Sequence, residues 1–336
     1  MKLDGEQGAV AHYLMMLEMR RYSSHTLVRY RYCLATLVKL LDSLCQVTEL
    51  EQVTVAHLRQ CVQHVMTTPI VPRKSRRPPE NGKMLAASSV CSFIRIWKAF
   101  FNWCFKEELI EKNPALRLEF PKVPKKVRPA FSDEQVQMII DSLDLSTEQG
   151  FRDYIILLLL TDTGLRRSEV TGLRVEDVQV DYIRVLLGKG RKERRVGISP
   201  DLSMLLWKYI HKYRHPRNPD ELSLFLATGQ NNVGGPFGRG GMGSLMDRLK
   251  KLTGIDDVRL SAHTFRHTFS KMYLQEGGDL FSLSRELGHS DIKTTQRYLE
   301  DFTSENARKR HNEFSPLNRL KVRTRRTPKG TERKKK

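Results

Sequence analysis

The chain is short of sulfur, of long apolar runs and of acidic residues, and each shortage narrows what it can be. Five cysteines stand at 33, 45, 61, 91 and 104, all in the first third of 336 residues. Their number is odd and no Cys-x-x-Cys pair occurs, so reduced core thiols in a cytoplasmic protein are expected rather than a disulfide framework. The longest apolar run, residues 155–160, falls far short of the roughly 20 residues that span a bilayer, and no membrane role is expected. The first residues carry mixed charges and lack the pattern of a secretion signal. The glycine-rich stretch 234–243 lacks the strand–turn–helix frame of a P-loop or Rossmann turn. It reads as a loop.

Positive charge is abundant. Lys and Arg number 58 against 38 Asp and Glu, a net charge of +20. Such a balance points to a polyanionic partner, DNA or RNA, rather than to a merely basic or ribosome-associated protein. Residues 315–336 read as a disordered basic tail, with too few apolar side chains to offset chain entropy. Over 317–336 ten Lys or Arg face Glu332 alone, so this stretch carries nine of the twenty charges. The other eleven belong to the folded part.

Residues 1–113 read as an all-α domain. Val10, Leu14, Leu17 and Met19 mark one helix, and Ser24 is the expected N-cap of a second, along which Leu27, Tyr30, Leu34, Leu37 and Leu41 recur. A third covers 53–65. The fourth, over 88–105, carries Phe93, Trp97, Phe100, Phe101 and Trp103. Between these two, residues 67–83 hold four prolines together with Arg73, Lys74, Arg76 and Arg77. Proline forbids a helix there, and the charges suit DNA phosphates.

Residues 114–130 form a basic, proline-stiffened linker, in which Lys122, Lys125, Lys126 and Arg128 are further candidates for phosphate contacts. A mixed domain over 131–314 follows, opened by a capping box of Ser132 with Gln135. A buried helix over 152–161 stops near Gly164. Two β-rich runs, 182–187 and 194–198, flank a charged hairpin tip that includes Lys192. Helices are expected at 201–213, 243–252, 262–275, 280–287 and 292–301. The fold class is therefore mainly α with one small antiparallel β-sheet.

Four local patterns carry chemistry, and each alone is ordinary. Arg166 lies in Thr163-Gly164-Leu165-Arg166-Arg167-Ser168-Glu169, which by itself reads as surface charge. Lys189 sits between Gly188 and Gly190, which free the backbone to bring the amine near a ligand. His263, Arg266 and His267 share a helix face by period. A metal pair of His263 with His267 would need further ligands, which the surrounding residues do not offer. Leu287-Gly288-His289-Ser290 is followed, nine positions after His289, by Tyr298.

In order and wording this set resembles the tyrosine recombinases, with motifs close to those of Xer proteins and phage integrases. The resemblance covers residues 128–312 and extends more loosely to the helical domain, which looks like the family's core-binding domain. It implies a C-shaped two-domain clamp on double-stranded DNA and a catalytic set of Arg166, Lys189, His263, Arg266, His289 and Tyr298. It also implies a tetramer on paired sites that exchanges strands through a Holliday junction. The residue types suit phosphoryl transfer. Arg166 and Arg266 would hold the non-bridging oxygens, so no metal or other cofactor and no ATP are expected. Tyr298 would be the nucleophile, His263 its proton acceptor and Lys189 the acid for the leaving 5′-oxygen. His289 would bond a phosphate oxygen, and Glu169 would brace Arg166 or His263. A type IB topoisomerase-like enzyme or a non-catalytic DNA-binding protein of the same fold are the alternatives. Where the family's motif often has leucine, this chain has Phe265.

Overall fold

Helix caps and apolar periods set the elements of the computed structural model, which describes residues 1–68, 84–124, 129–186, 193–229, 232–289 and 291–296. The chain divides into two compact units, Met1–Lys126 and Val127–Lys336. Among the described residues no helix is long and apolar enough to cross a membrane.

The first unit contains helices α1 (Ala9–Met19), α2 (Ser24–Cys45), α3 (Val55–Thr67) and α4 (Ala87–Lys106). The N-cap of α2 is Ser23, whose side chain accepts from the Thr26 backbone N–H. The cap therefore lies one residue before the expected Ser24, which is already helical. At α3, Thr54 and His57 form a capping box. Leu34, Leu37, Leu41, Leu58, Trp97, Phe100 and Phe101 fill the core. Trp97 Nε1 donates to the Cys33 carbonyl at 3.0 Å, tying α4 to α2. This core does not stop at residue 113. Ala115 and Leu118 are buried in it, and Lys98 Nζ donates to the carbonyls of Leu116 and Leu118 at 3.1 and 2.8 Å. Those bonds keep the chain packed beyond the expected end of the helical domain.

The second unit opens with α5 (Asp133–Asp141), capped by Ser132 and Gln135 in the expected box. Then come α6 (Glu148–Thr163) and the short α7 (Arg167–Val170). Strands β1 (Tyr182–Leu186) and β2 (Glu193–Gly197) pair antiparallel with Val185 opposite Arg194. Helix α8 (Pro200–Lys208) runs into a π-helical turn at Tyr209–Tyr213. Helices α9 (Arg239–Thr253), α10 (Ala262–Gln275), α11 (Leu280–Leu287) and α12 (Lys293–Gln296) complete the described elements.

Part of the glycine-rich stretch is helix, contrary to the sequence reading: α9 starts at Arg239 and takes in Gly240, Gly241 and Gly243. The Phe237 ring packs against this first turn. A Cβ on Gly241 would meet it at 2.6 Å, so the bare backbone is what lets ring and helix approach. The large core centres on α6, whose Ile155, Ile156, Leu157, Leu159 and Leu160 are all buried. A helix buried all round reads as a continuous apolar run, which is how 155–160 appears in the sequence.

Candidate active site

Two glycine-ended helices and the start of α7 build the site. At the C-terminus of α6, Gly164 adopts the left-handed conformation (φ 58°). A Cβ there would lie 2.4 Å from the Phe269 ring of α10, so both the turn and the close packing of α10 call for glycine. At the C-terminus of α11, Gly288 is likewise left-handed (φ 62°).

Arg266 is 3% exposed on α10 and joins these ends. Its Nη1 donates to the Gly164 carbonyl at 2.9 Å. Its Nη2 donates to the Leu287 carbonyl at 2.7 Å and to His289 Nε2 at 2.9 Å. Because the guanidinium is always a donor, Nε2 accepts and the imidazole proton sits on Nδ1. Nδ1 therefore donates to Thr295 Oγ1 at 2.7 Å. Burial, followed by the charges of Arg266, Arg166 and Arg194, pushes the His289 pKa down to about 4. The ring is neutral at physiological pH. With Nε2 turned to Arg266, it offers no proton there to a phosphate oxygen.

Arg166 is the N-cap of α7. Its backbone N–H and its Nη1 donate to the two oxygens of Glu169 at 2.8 and 2.9 Å. Its Nη2 approaches the Gly288 carbonyl at 3.5 Å. Of the two partners expected for Glu169, Arg166 is found. The Arg166 side chain is 38% exposed, so the guanidinium opens to solvent while one edge is held.

The structure thus brings together Arg166, Arg266 and His289 at the Leu287–His289 turn. His263 stands in the first turn of α10 and is exposed, whereas Arg266 and His267 are buried. Burial thus divides the face these three were expected to share, because Arg266 and His267 lie one turn deeper. Among the described residues no three His, Cys, Asp or Glu side chains gather as metal ligands do. Lys122 is exposed beyond Pro121. Lys189, Lys192 and Tyr298 lie outside the described residues, as do Arg73, Lys74, Arg76, Arg77, Lys125, Lys126 and Arg128.

One residue at the site was missed in the sequence. Arg194 on β2 grips Glu169 with Nη1 and Nη2 at 3.0 Å each, and its Nε donates to the Glu286 carbonyl at 2.9 Å. Within Lys-Glu-Arg-Arg it passes for exposed hairpin charge. The signal was alternation: Arg194 shares a strand face with buried Val196, so its side chain turns inward and needs an acid.

Residues 130–305 match the model of the phage integrase family, and residues 10–77 match that of the phage integrase N-terminal SAM-like domain. The chain is 33% identical over 235 residues to tyrosine recombinase XerD of Staphylococcus aureus, covering 69% of this chain and 77% of the relative. With XerD of Staphylococcus saprophyticus the identity is 29%, over 91% of this chain and 98% of the relative. In fold, it is similar to the Tn1549 transposon integrase in complex with transposon right end DNA. There the TM-score is 0.71 at 19% identity, covering 91% of this chain and 98% of the other. It is also similar to a lambda integrase dimer bound to a core site, with a TM-score of 0.65 at 16% identity, covering 85% and 95%.

Proposed function

Because the chain belongs to the phage integrase family, whose relatives above are named tyrosine recombinases, we propose that it is a site-specific recombinase of double-stranded DNA. The observation that carries this reading is the meeting of Arg166, Arg266 and His289 at one turn. Two planar cations converge there, one half-open and one buried, where an attacked phosphodiester would gather negative charge.

In this reading the Tyr298 oxygen attacks the scissile phosphorus and the bond to the 5′-oxygen breaks. A 3′-phosphotyrosyl link forms. His263 takes the tyrosyl proton and Lys189 supplies one to the leaving 5′-oxygen. Arg166 and Arg266 hold the non-bridging oxygens, which assigns the charge work to the chain itself and calls for no cofactor. His289, neutral, fixes the Arg266 guanidinium and adds no charge. Because the phosphotyrosyl link retains the phosphodiester energy, a second strand's 5′-hydroxyl reverses the step on a new partner without ATP. Strand exchange through a Holliday junction needs four such chains on two sites.

The helical unit, the basic linker with Lys122, Lys125, Lys126 and Arg128, and the stretch holding Arg73, Lys74, Arg76 and Arg77 supply phosphate contacts, with Lys192 beside Lys189. DNA binding is assigned to the helical domain, whose core runs through Leu118, followed by the basic linker, catalysis to the domain over 131–314, and 315–336 to the tail, in the cytoplasm.

The test is a duplex nicked beside the cleavage position, which loses a short 5′-hydroxyl fragment once cut and so traps the covalent adduct. Wild type is expected to form the adduct and Tyr298→Phe to form none. Undiminished adduct in the variant would sink the assignment.

A further inference from the structure

We propose that Arg194 is a positioning residue for the phosphate clamp, fixing Arg166 through the shared carboxylate of Glu169; this rests on the recombinase reading. Glu169 is 7% exposed at its side chain and lies between two arginines. Both of its oxygens are bonded to Arg194, at 3.0 Å each, and the same two oxygens receive Arg166 Nη1 and the Arg166 backbone N–H. Burial works to raise the Glu169 pKa, yet it ends below the usual carboxylate range because the hydrogen bonds and charge of Arg194, with the bonds from Arg166, outweigh that. A carboxylate left with one arginine in so buried a place would be poorly held, and so would the guanidinium resting on it.

Arg194 is also fixed from behind. Its Nε reaches the Glu286 carbonyl in the last turn of α11, two residues before the Gly288 carbonyl that Arg166 Nη2 approaches. One side chain therefore spans β2, the start of α7 and the end of α11. Gly288 makes room for it: a Cβ there would stand 2.9 Å from Arg194 Nη1 and 3.0 Å from Cδ and Cζ. Those atoms are held by the bonds just described and cannot swing aside cheaply. Both partners of the fork matter, since lysine would keep the charge but not the two parallel bonds.

The experiment compares wild type, Arg194→Ala and Arg194→Lys on the nicked duplex in single turnover. It is then repeated with each methylphosphonate diastereomer at the scissile position, where one non-bridging oxygen and its charge are gone. On the phosphodiester, Arg194→Ala should slow adduct formation about 10²-fold, the scale of a lost transition-state donor, with DNA affinity within about 2-fold. Arg194→Lys should fall between. On the diastereomer that lacks the oxygen held by Arg166 the penalty should shrink to about a few-fold, since the donor that Arg194 positions has no acceptor there. A merely structural loss would not depend on which oxygen the substrate lacks. Should the alanine variant lose its fold, the lysine variant carries the same comparison. Equal penalties on all three substrates, or no penalty on the phosphodiester, overturns the role of Arg194 while wild-type adduct leaves the recombinase reading standing. Absence of adduct with wild type overturns both.

Discussion

The unit from Met1 to Lys126 fills its interior with Trp97, Phe100, Phe101 and a frame of leucines, and among its described residues none of the buried ones is charged, Ser or Thr. The unit from Val127 has an apolar core at least as large, yet it also buries Arg152, Asp153, Asp177, Arg266 and His267. Burying charge is costly unless partners are placed with care. One set lies near the start of α6, where Asp153 takes Arg152 at 2.6 Å and also pairs with Arg248. The other lies at the C-terminal end of the same helix, around Arg166, Glu169, Arg194 and Arg266. The contrast teaches that one unit's interior is organised for cohesion, and the other's also for holding cations at fixed points. Substitutions should separate the two properties.

The largest loss of stability is expected in the first unit. Trp97 is fully buried and bonded to the Cys33 carbonyl, so Trp97→Ala should cost about 3–5 kcal/mol. Chemical denaturation followed by tryptophan-independent circular dichroism measures it. A loss below about 1 kcal/mol, the scale of a surface change, would break the picture of a cohesive aromatic core. In the second unit the readout should shift from stability to rate. Arg266→Met fills similar space without the donors, and leaving the Gly164 and Leu287 carbonyls unpaired should cost about 1–3 kcal/mol, less than the loss at Trp97. Adduct formation should nevertheless fall by about 10²–10³-fold. A modest loss of melting stability with lost cleavage would sharpen the comparison. Lost melting with cleavage intact in the folded fraction would reverse it.

Much of this contrast can be read in the sequence, and what cannot has physical causes. The ends of α10 and α11 were placed at 262–275 and 280–287, where caps and glycines punctuate the chain. The Ser132 box was legible because both of its partners lie within one turn. The start of α9 was not, since glycines argue for a loop unless a ring such as Phe237 is known to pack on them. Arg166, Arg266 and His289 were legible through their motifs, but the tautomer of His289 depends on a bond across 23 residues of chain. Arg194 left only its alternation with buried Val196 as a mark, because its partners, Glu169 and the Glu286 carbonyl, are set by tertiary packing.

The His289 ring supplies a smaller, pH-dependent test of the same contrast. Its folded pKa of about 4 lies below the ordinary value near 6.5. Between those limits the unfolded chain binds the proton and the folded one does not, so stability rises with pH. The contribution is complete above about pH 6.5 and is lost as the pH drops to about 4, the window set by those two values. Denaturation midpoints of wild type and His289→Gln across that range should therefore converge toward acid. Parallel curves would show that the ring is not held neutral by burial and its arginines.

The smallest effects should erase the contrast altogether. Helix caps act through neighbours in sequence, so they ought not to sense what kind of interior lies behind them. Thr54 Oγ1 accepts from the His57 N–H at 3.3 Å, and Ser132 Oγ accepts from the Gln135 N–H at 3.2 Å. Alanine at either position should cost about 1 kcal/mol, the usual value for a lost N-cap. The one complication is Gln135, whose Nε2 also donates to both oxygens of Asp257 at 3.1 Å. Since Gln135 Oε1 accepts from the Ser132 backbone N–H, that amide stays anchored when the serine hydroxyl is removed, and the two costs should agree. Equal losses in denaturation would confine the difference between the units to their interiors. A cost several times larger for Ser132→Ala would mean that the charged interior of the second unit depends on its helix ends as well.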